Sequence, residues 1–188
     1  MTSRRAAPRV LVVGSTGAGK STMARAIARR LGLEFHEMDA LHFIGPGWQE
    51  NPNLTRQVAR ILEGPGGWVF DSLGHPDVRD LLWEHADTVV WLDYPRRVVL
   101  WRVLRRSVRR TLLRERVFGG NREALAGWFR RDHPVWWAMS QYEGRRAEIL
   151  RRTRDPRFAP LRVVRLAHPR DHNRDPKACT DGNLPPIN

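Results

Sequence analysis

Arg9-Val10-Leu11-Val12-Val13-Gly14-Ser15-Thr16-Gly17-Ala18-Gly19-Lys20-Ser21-Thr22 joins a short apolar run to a complete G-x-x-x-x-G-K-S pattern. The run is the length and type of a buried parallel strand. Glycines at positions 14, 17 and 19 let backbone N–H groups curl around phosphate oxygens that a side chain would otherwise block. Lys20 is one of two lysines in a chain with 31 arginines. It stands where a compact ammonium suits a β- or γ-phosphate better than a planar fork does. Ser21 offers a hydroxyl to Mg²⁺. After it Met23, Ala24, Ile27, Ala28 and Leu31 follow helical spacing up to Gly32, so strand, loop and helix come in the order phosphate binding requires. Residues Gly14 to Thr22 are therefore the expected nucleotide-binding segment, with ATP and Mg²⁺ as its ligands.

Working outward, five apolar or aromatic runs read as strands: 9–13, 34–39, 68–71, 88–93 and 161–166. Helical patterns fill the intervals at 20–31, about 53–63, about 76–84, 96 to about 114 and about 135–152. Alternation of this kind predicts an α/β fold, a five-stranded parallel sheet with helices on both faces. We read 9–168 as one domain and 169–188, rich in Pro, Asp and Asn, as a disordered tail. No apolar run approaches the roughly 20 residues of a membrane span. The first eight residues hold no signal-peptide core, and the single cysteine, Cys179, excludes an internal disulfide. The expectation is a cytoplasmic protein with no membrane partner.

The net charge is +13. Between Pro95 and Arg131 twelve arginines face only Glu115 and Glu123, so most of the excess lies in one segment. Concentrated charge marks a place where polyanions bind, either nucleotide phosphates or a nucleic acid. On the helix from Arg96 the spacing of Trp101, Leu104, Val108 and Leu112 predicts an inward face, with arginines on the remainder. Trp68, Trp91 and Trp101 read as core. Trp136 and Trp137 start the last long helix and are placed to clamp the basic segment.

Ligands of open parallel sheets sit beyond the carboxyl ends of the strands. Asp39, Asp71 and Asp93 fall there. Asp39 is placed to bind or deprotonate an acceptor hydroxyl. Asp71 and Asp93 each follow an apolar strand, the pattern that supports Mg²⁺ in phosphate-loop proteins, and each also suits a cap or turn. Phe43 and Trp48 lie in a Gly/Pro loop near Asp39, placed to pack or to stack on a planar acceptor. His42 and His75 read as structural neighbours of the site.

Together these features resemble the adenylate-kinase-like branch of phosphate-loop kinases, especially small bacterial proteins of topology-modulation (FlaR) type. The resemblance rests on the Gly14–Thr22 loop, Met38-Asp39-Ala40-Leu41-His42-Phe43 with Gly45-Pro46-Gly47-Trp48, Asp71 followed by Arg79, and Ala86 to Arg96 leading into the arginine helix. It implies a P-loop NTPase three-layer sandwich with an arginine-rich helical lid at about 107–132. It implies nucleotide contacts from Arg102 and Arg106, and lid arginines Arg122, Arg130 and Arg131 closing on the transferred phosphoryl group. The chain departs from adenylate kinases in lacking their arginine motif on the helix after the second strand and lid cysteines for zinc. Asp39 then suggests a hydroxyl-bearing small molecule or nucleoside as phosphate acceptor. The expected activity is an ATP- and Mg²⁺-dependent phosphotransferase acting on a small molecule, nucleoside or nucleotide. The alternatives are a nucleotide-regulated nucleic-acid-binding protein and an ATP-binding module without kinase chemistry.

Overall fold

The computed structural model describes residues 7–45, 49–113, 116–117, 121–122 and 134–173, with side chains described for 7–45, 49–109 and 140–171. Its main sheet contains β1 (Arg9–Gly14), β2 (Glu34–His36), β5 (Trp68–Phe70), β6 (Thr88–Leu92) and β9 (Arg162–Leu166), in the order β2-β5-β1-β6-β9. Every pairing in it is parallel. The central strand is the apolar run of the phosphate-loop segment, and Val10, Leu11, Val12 and Val13 are all fully buried.

Alternation along the strands divides the core in two, because successive side chains point to opposite faces. Val10, Val12, Val69, Val90 and Val164 pack against α1 (Lys20–Leu31) and α5 (Arg96–Leu113). Leu11, Val13, Trp68, Phe70, Val89 and Trp91 pack against α3 (Leu54–Glu63) and α4 (Pro76–His85). The long helix α6 (Pro134–Thr153) serves both layers, sending Tyr142 to the first and Ile149 to the second. No described helix is long and apolar enough to cross a membrane.

The structure corrects four expectations. The second strand ends at His36, and a five-residue helix, α2 (Met38–His42), follows, so Asp39 stands on a helix beyond the sheet edge. That helix leads into a small antiparallel hairpin, β3 (Phe43–Gly45) with β4 (Gln49–Glu50); Trp48 lies outside the described residues. On α5 the inward residues are Val99, Val103 and Ser107, while Trp101 is 65 % exposed and Leu104 and Val108 are exposed as well. Both sets recur at helical spacing, and contact with the phosphate loop decides between them. Finally, Pro169–Asn173 forms a short 3-10 helix within the expected tail. Within the expected lid, α5 continues to Leu113 and β7 (Arg116–Val117) pairs antiparallel with β8 (Asn121–Arg122). Arg130, Arg131, Cys179 and the side chains of Leu112, Arg122, Trp136 and Trp137 lie outside what is described.

Candidate active site

The site begins where β1 gives way to the loop. Gly17 (φ +86°) and Gly19 (φ +97°) hold left-handed conformations that a β-carbon disfavours. Gly17 also has no room for one: a Cβ there would come within 2.3 Å of Val103 Cγ2 and 3.1 Å of the Val99 carbonyl. Helix α5 is thus packed directly on the loop. Arg102 adds a bond from Nη1 to the Ala18 carbonyl (2.8 Å), with its guanidinium 5.2 Å from the centroid of the Tyr94 ring. Ser15 is buried, Thr16 is partly buried and Thr22 is exposed on the first turn of α1. That turn carries no acid, so the positive end of the helix dipole is left for an anion.

Lys20 donates to the Ser15 carbonyl (3.3 Å), a contact an incoming phosphate would replace. Its pKa is lowered from 10.5 to about 8, first by burial and next by the charge of Arg145. Asp71 and Asp39 pull it upward, and Arg106 pushes it down. Four charged groups from four parts of the chain therefore converge around one ammonium.

Asp71, one residue past β5, is buried and accepts from the Ser21 hydroxyl and from the Met38 N–H (3.1 Å). Desolvation raises its pKa, while those two bonds and Lys20 oppose the rise. One carboxylate thus fixes both the end of the loop and the start of α2, which carries Asp39. Among the described residues no cluster of three or more His, Cys, Asp or Glu could hold a metal. The neighbouring hydroxyl and carboxylate of Ser21 and Asp71 still fit a hard cation that shares its remaining sites with water and phosphate.

Asp93, the other candidate for metal support, is occupied differently. Its buried carboxylate accepts from Arg146 Nε (2.8 Å) and Arg165 Nε (2.9 Å), tying the end of β6 to α6 and β9. It is a structural junction.

Sequence reasoning overlooked Arg145. It is partly buried on α6, and desolvation lowers its pKa, with Asp39 opposing and Arg79 adding to the fall. Arg79 on α4 donates to the Gly74 carbonyl (3.2 Å) and lies 3.7 Å from Glu148. Arg145 faces Asp39's side of the site with Arg79 close to it, a placement that suits an anionic group on a second substrate. No local signal separates Arg145 from Arg146, Arg151 and Arg152 on the same helix. Arg106 lies close enough to Lys20 for its charge to act on it, whereas the backbone alone of Arg122 is placed, in β8.

Comparison with known proteins fits this arrangement. A family model for the ATPase family associated with various cellular activities (AAA) matches residues 10–67. A shikimate kinase from Paramagnetospirillum magneticum (strain AMB-1) is 30 % identical over 145 residues, 68 % of this chain and 70 % of that protein. The chain spans about a third of the length of further shikimate kinase 1 relatives that it matches. Among solved structures, a gluconokinase from Sinorhizobium meliloti 1021 superposes with a TM-score of 0.53 at 21 % identity, covering 95 % of this chain and 93 % of its own. A shikimate kinase from Acinetobacter baumannii in complex with shikimate gives 0.52 at 18 % identity, covering 95 % and 96 %. These two likenesses show the fold.

Proposed function

Because the chain belongs to the phosphate-loop kinase family that includes shikimate kinase, we propose that it transfers the γ-phosphoryl group of ATP to a hydroxyl of a small anionic acceptor. The observation that carries this reading is the convergence of Lys20, Asp71 and Asp39 with Arg145 at the carboxyl edge of the sheet. The resemblance to adenylate-kinase-like and topology-modulation proteins describes the same donor side. Asp39 and the arginines around it turn the acceptor side toward a hydroxylated acid.

The loop from Gly14 to Thr22 binds the triphosphate through backbone N–H groups, and Lys20 moves from Ser15 onto the phosphates. Ser21 and Asp71 would hold Mg²⁺, which when bound neutralises charge on the β- and γ-phosphates. Asp39 orients the acceptor hydroxyl and takes its proton as the oxygen attacks the γ-phosphorus. The bond to the bridging oxygen breaks, and ADP leaves with the electron pair. Arg106 stabilises charge on the equatorial oxygens, with Arg122, Arg130 and Arg131 assigned to the same task by resemblance. Arg102 holds the loop and the nucleotide's base end. Arg145 and Arg79 receive the acceptor's carboxylate or phosphate.

The test is a phosphoryl-transfer screen with ATP against shikimate, gluconate, nucleosides and nucleoside monophosphates, with Lys20→Ala as the blank. Transfer to a hydroxylated acid that disappears in Lys20→Ala supports the reading. Equal transfer by that variant, or transfer confined to nucleoside monophosphates, overturns it.

A further inference from the structure

Three residues beyond Asp39 on α2 stands His42, and one residue before α4 stands His75. Their rings stack with centroids 4.3 Å apart and an interplanar angle of 28°. Both line a cleft of about 330 Å³, a volume typical of small-molecule sites. In a chain of net charge +13, this cleft is lined, among the described residues, by two carboxylates, Glu50 and Asp77, and by no arginine or lysine.

Its polar groups are not all satisfied within the fold. His42 is 8 % exposed, and its buried Nδ1 makes no hydrogen bond. His75 Nδ1 is also buried without one, although Asp77 Oδ2 lies 3.3 Å away. Glu50 Oε1 is 3.6 Å from His42 Nε2, beyond hydrogen-bond range. Asn51, by contrast, is fully engaged. It donates to the Leu41 carbonyl and to Gln57 Oε1, and it accepts from the Asn53 N–H, each at 2.9 Å. Asn51 frames the cleft, and the imidazoles and carboxylates are what it presents. Buried polar atoms are nearly always paired; His42 Nδ1 is not, and His75 Nδ1 has only the poorly aligned contact to Asp77, so the stacked imidazoles are open to a further partner.

We propose that this cleft is the second half of the acceptor site and binds a neutral, polyhydroxylated portion of the acceptor. The inference rests on the kinase reading above. Hydroxyl groups donate and accept, so they can satisfy imidazole nitrogens of either role, while neighbouring hydroxyls on a carbon chain can donate together to Glu50 or Asp77. Pro52 and Leu54 supply apolar surface for C–H groups. An anionic group is repelled by the two carboxylates and directed to Arg79 and Arg145. Asp39 and His42 share α2, and His75 and Arg79 flank the start of α4, so the polyol pocket and the reacting hydroxyl are held by the same two elements.

The experiment uses the full chain in two forms. Lys20→Ala, blocked for turnover, is labelled at histidine and titrated with shikimate, gluconate, glucose and ribose, with acetate and inorganic phosphate as controls. At least one polyol should shift the imidazole resonances of both His42 and His75, and the controls should shift neither. His75→Ala and Asp77→Asn should each weaken that binding about tenfold, the size of one lost hydrogen bond. In the active enzyme they should raise the acceptor KM with little change in kcat or in ATP affinity. The cleft is excluded if none of the four polyols moves the resonances, or if both variants bind as tightly as the parent. Polyol binding without transfer would leave the cleft and remove the kinase. Transfer with a KM indifferent to both variants would do the reverse.

Discussion

Arg102 donates from Nη1 to the carbonyl oxygen of Ala18 at 2.8 Å, so the arginine helix holds the phosphate loop from outside. The bond joins residues 84 positions apart and lies beside Val99 and Val103, which close over Gly17. Arg102→Ala should therefore raise the KM for ATP about tenfold, roughly the effect of one charge-assisted bond, with the unfolding midpoint nearly unchanged. A shift in the acceptor KM instead would place Arg102 elsewhere in the cycle.

Gly17→Ala tests the same contact from the loop side. The added methyl group meets Val103 Cγ2 at 2.3 Å and the Val99 carbonyl at 3.1 Å at a φ of +86°, and rotating Val103 relieves neither the backbone strain nor the approach to the carbonyl. The expected cost is about 2 kcal/mol or more, seen as a lower denaturant midpoint and weaker nucleotide binding. Gly17→Ala combined with Val103→Ala should recover part of the loss, because the smaller neighbour removes the overlap and leaves the strain.

Lys20 sets a pH dependence. Its pKa of about 8 in the free protein reflects burial and Arg145, and bound phosphates push it up again. ATP binding should therefore take up a proton at pH values above about 8, and affinity should fall by up to about tenfold per pH unit there. Calorimetry in buffers of different ionisation enthalpy measures the uptake. Lys20→Met should abolish it.

Glu148 is expected to contribute to the acid limb of stability. It accepts from Arg151 and Arg152, and these bonds lower its pKa from 4.5 to about 2. A carboxylate depressed in the folded state contributes stability that is complete above pH 4.5 and is lost as pH falls toward 2. Unfolding of Glu148→Gln should be less pH-dependent across that window, with a lower midpoint at neutral pH. Parallel acid profiles for the two proteins would show that Glu148 is not the group responsible.

Asp71 and Asp93 separate by their partners. Asp93→Ala leaves Arg146 and Arg165 without their shared acceptor and should cost roughly 2–4 kcal/mol of stability. The Mg²⁺ dependence of transfer should not change. Asp71→Asn should raise the Mg²⁺ concentration for half-maximal rate and reduce kcat. A titration of rate against Mg²⁺ distinguishes the two.

The local sequence determined the strands, the phosphate loop and most of the helices. Each depends on patterns within a few residues: an apolar run for β1, glycines and Lys20 for the loop, and 3.6-residue spacing for α1. The spacing predicts helix α1 at 20–31, where it is found, and each apolar run holds one strand of the sheet, although the second strand stops at His36, short of Asp39. The tertiary structure decided what the patterns left degenerate. On α5, Trp101-Leu104-Val108 and Val99-Val103-Ser107 are both helical stripes, and only the second meets the loop. Asp71 and Asp93 both follow apolar strands; burial against Ser21 and Met38 rather than against two arginines assigns them different surroundings. Arg145 is one arginine among many on α6 until the packing of α6 brings it to Asp39 and Lys20. Spacing along a chain fixes which side chains share a face. It does not fix which face is buried, because that depends on surfaces supplied by residues far away in sequence.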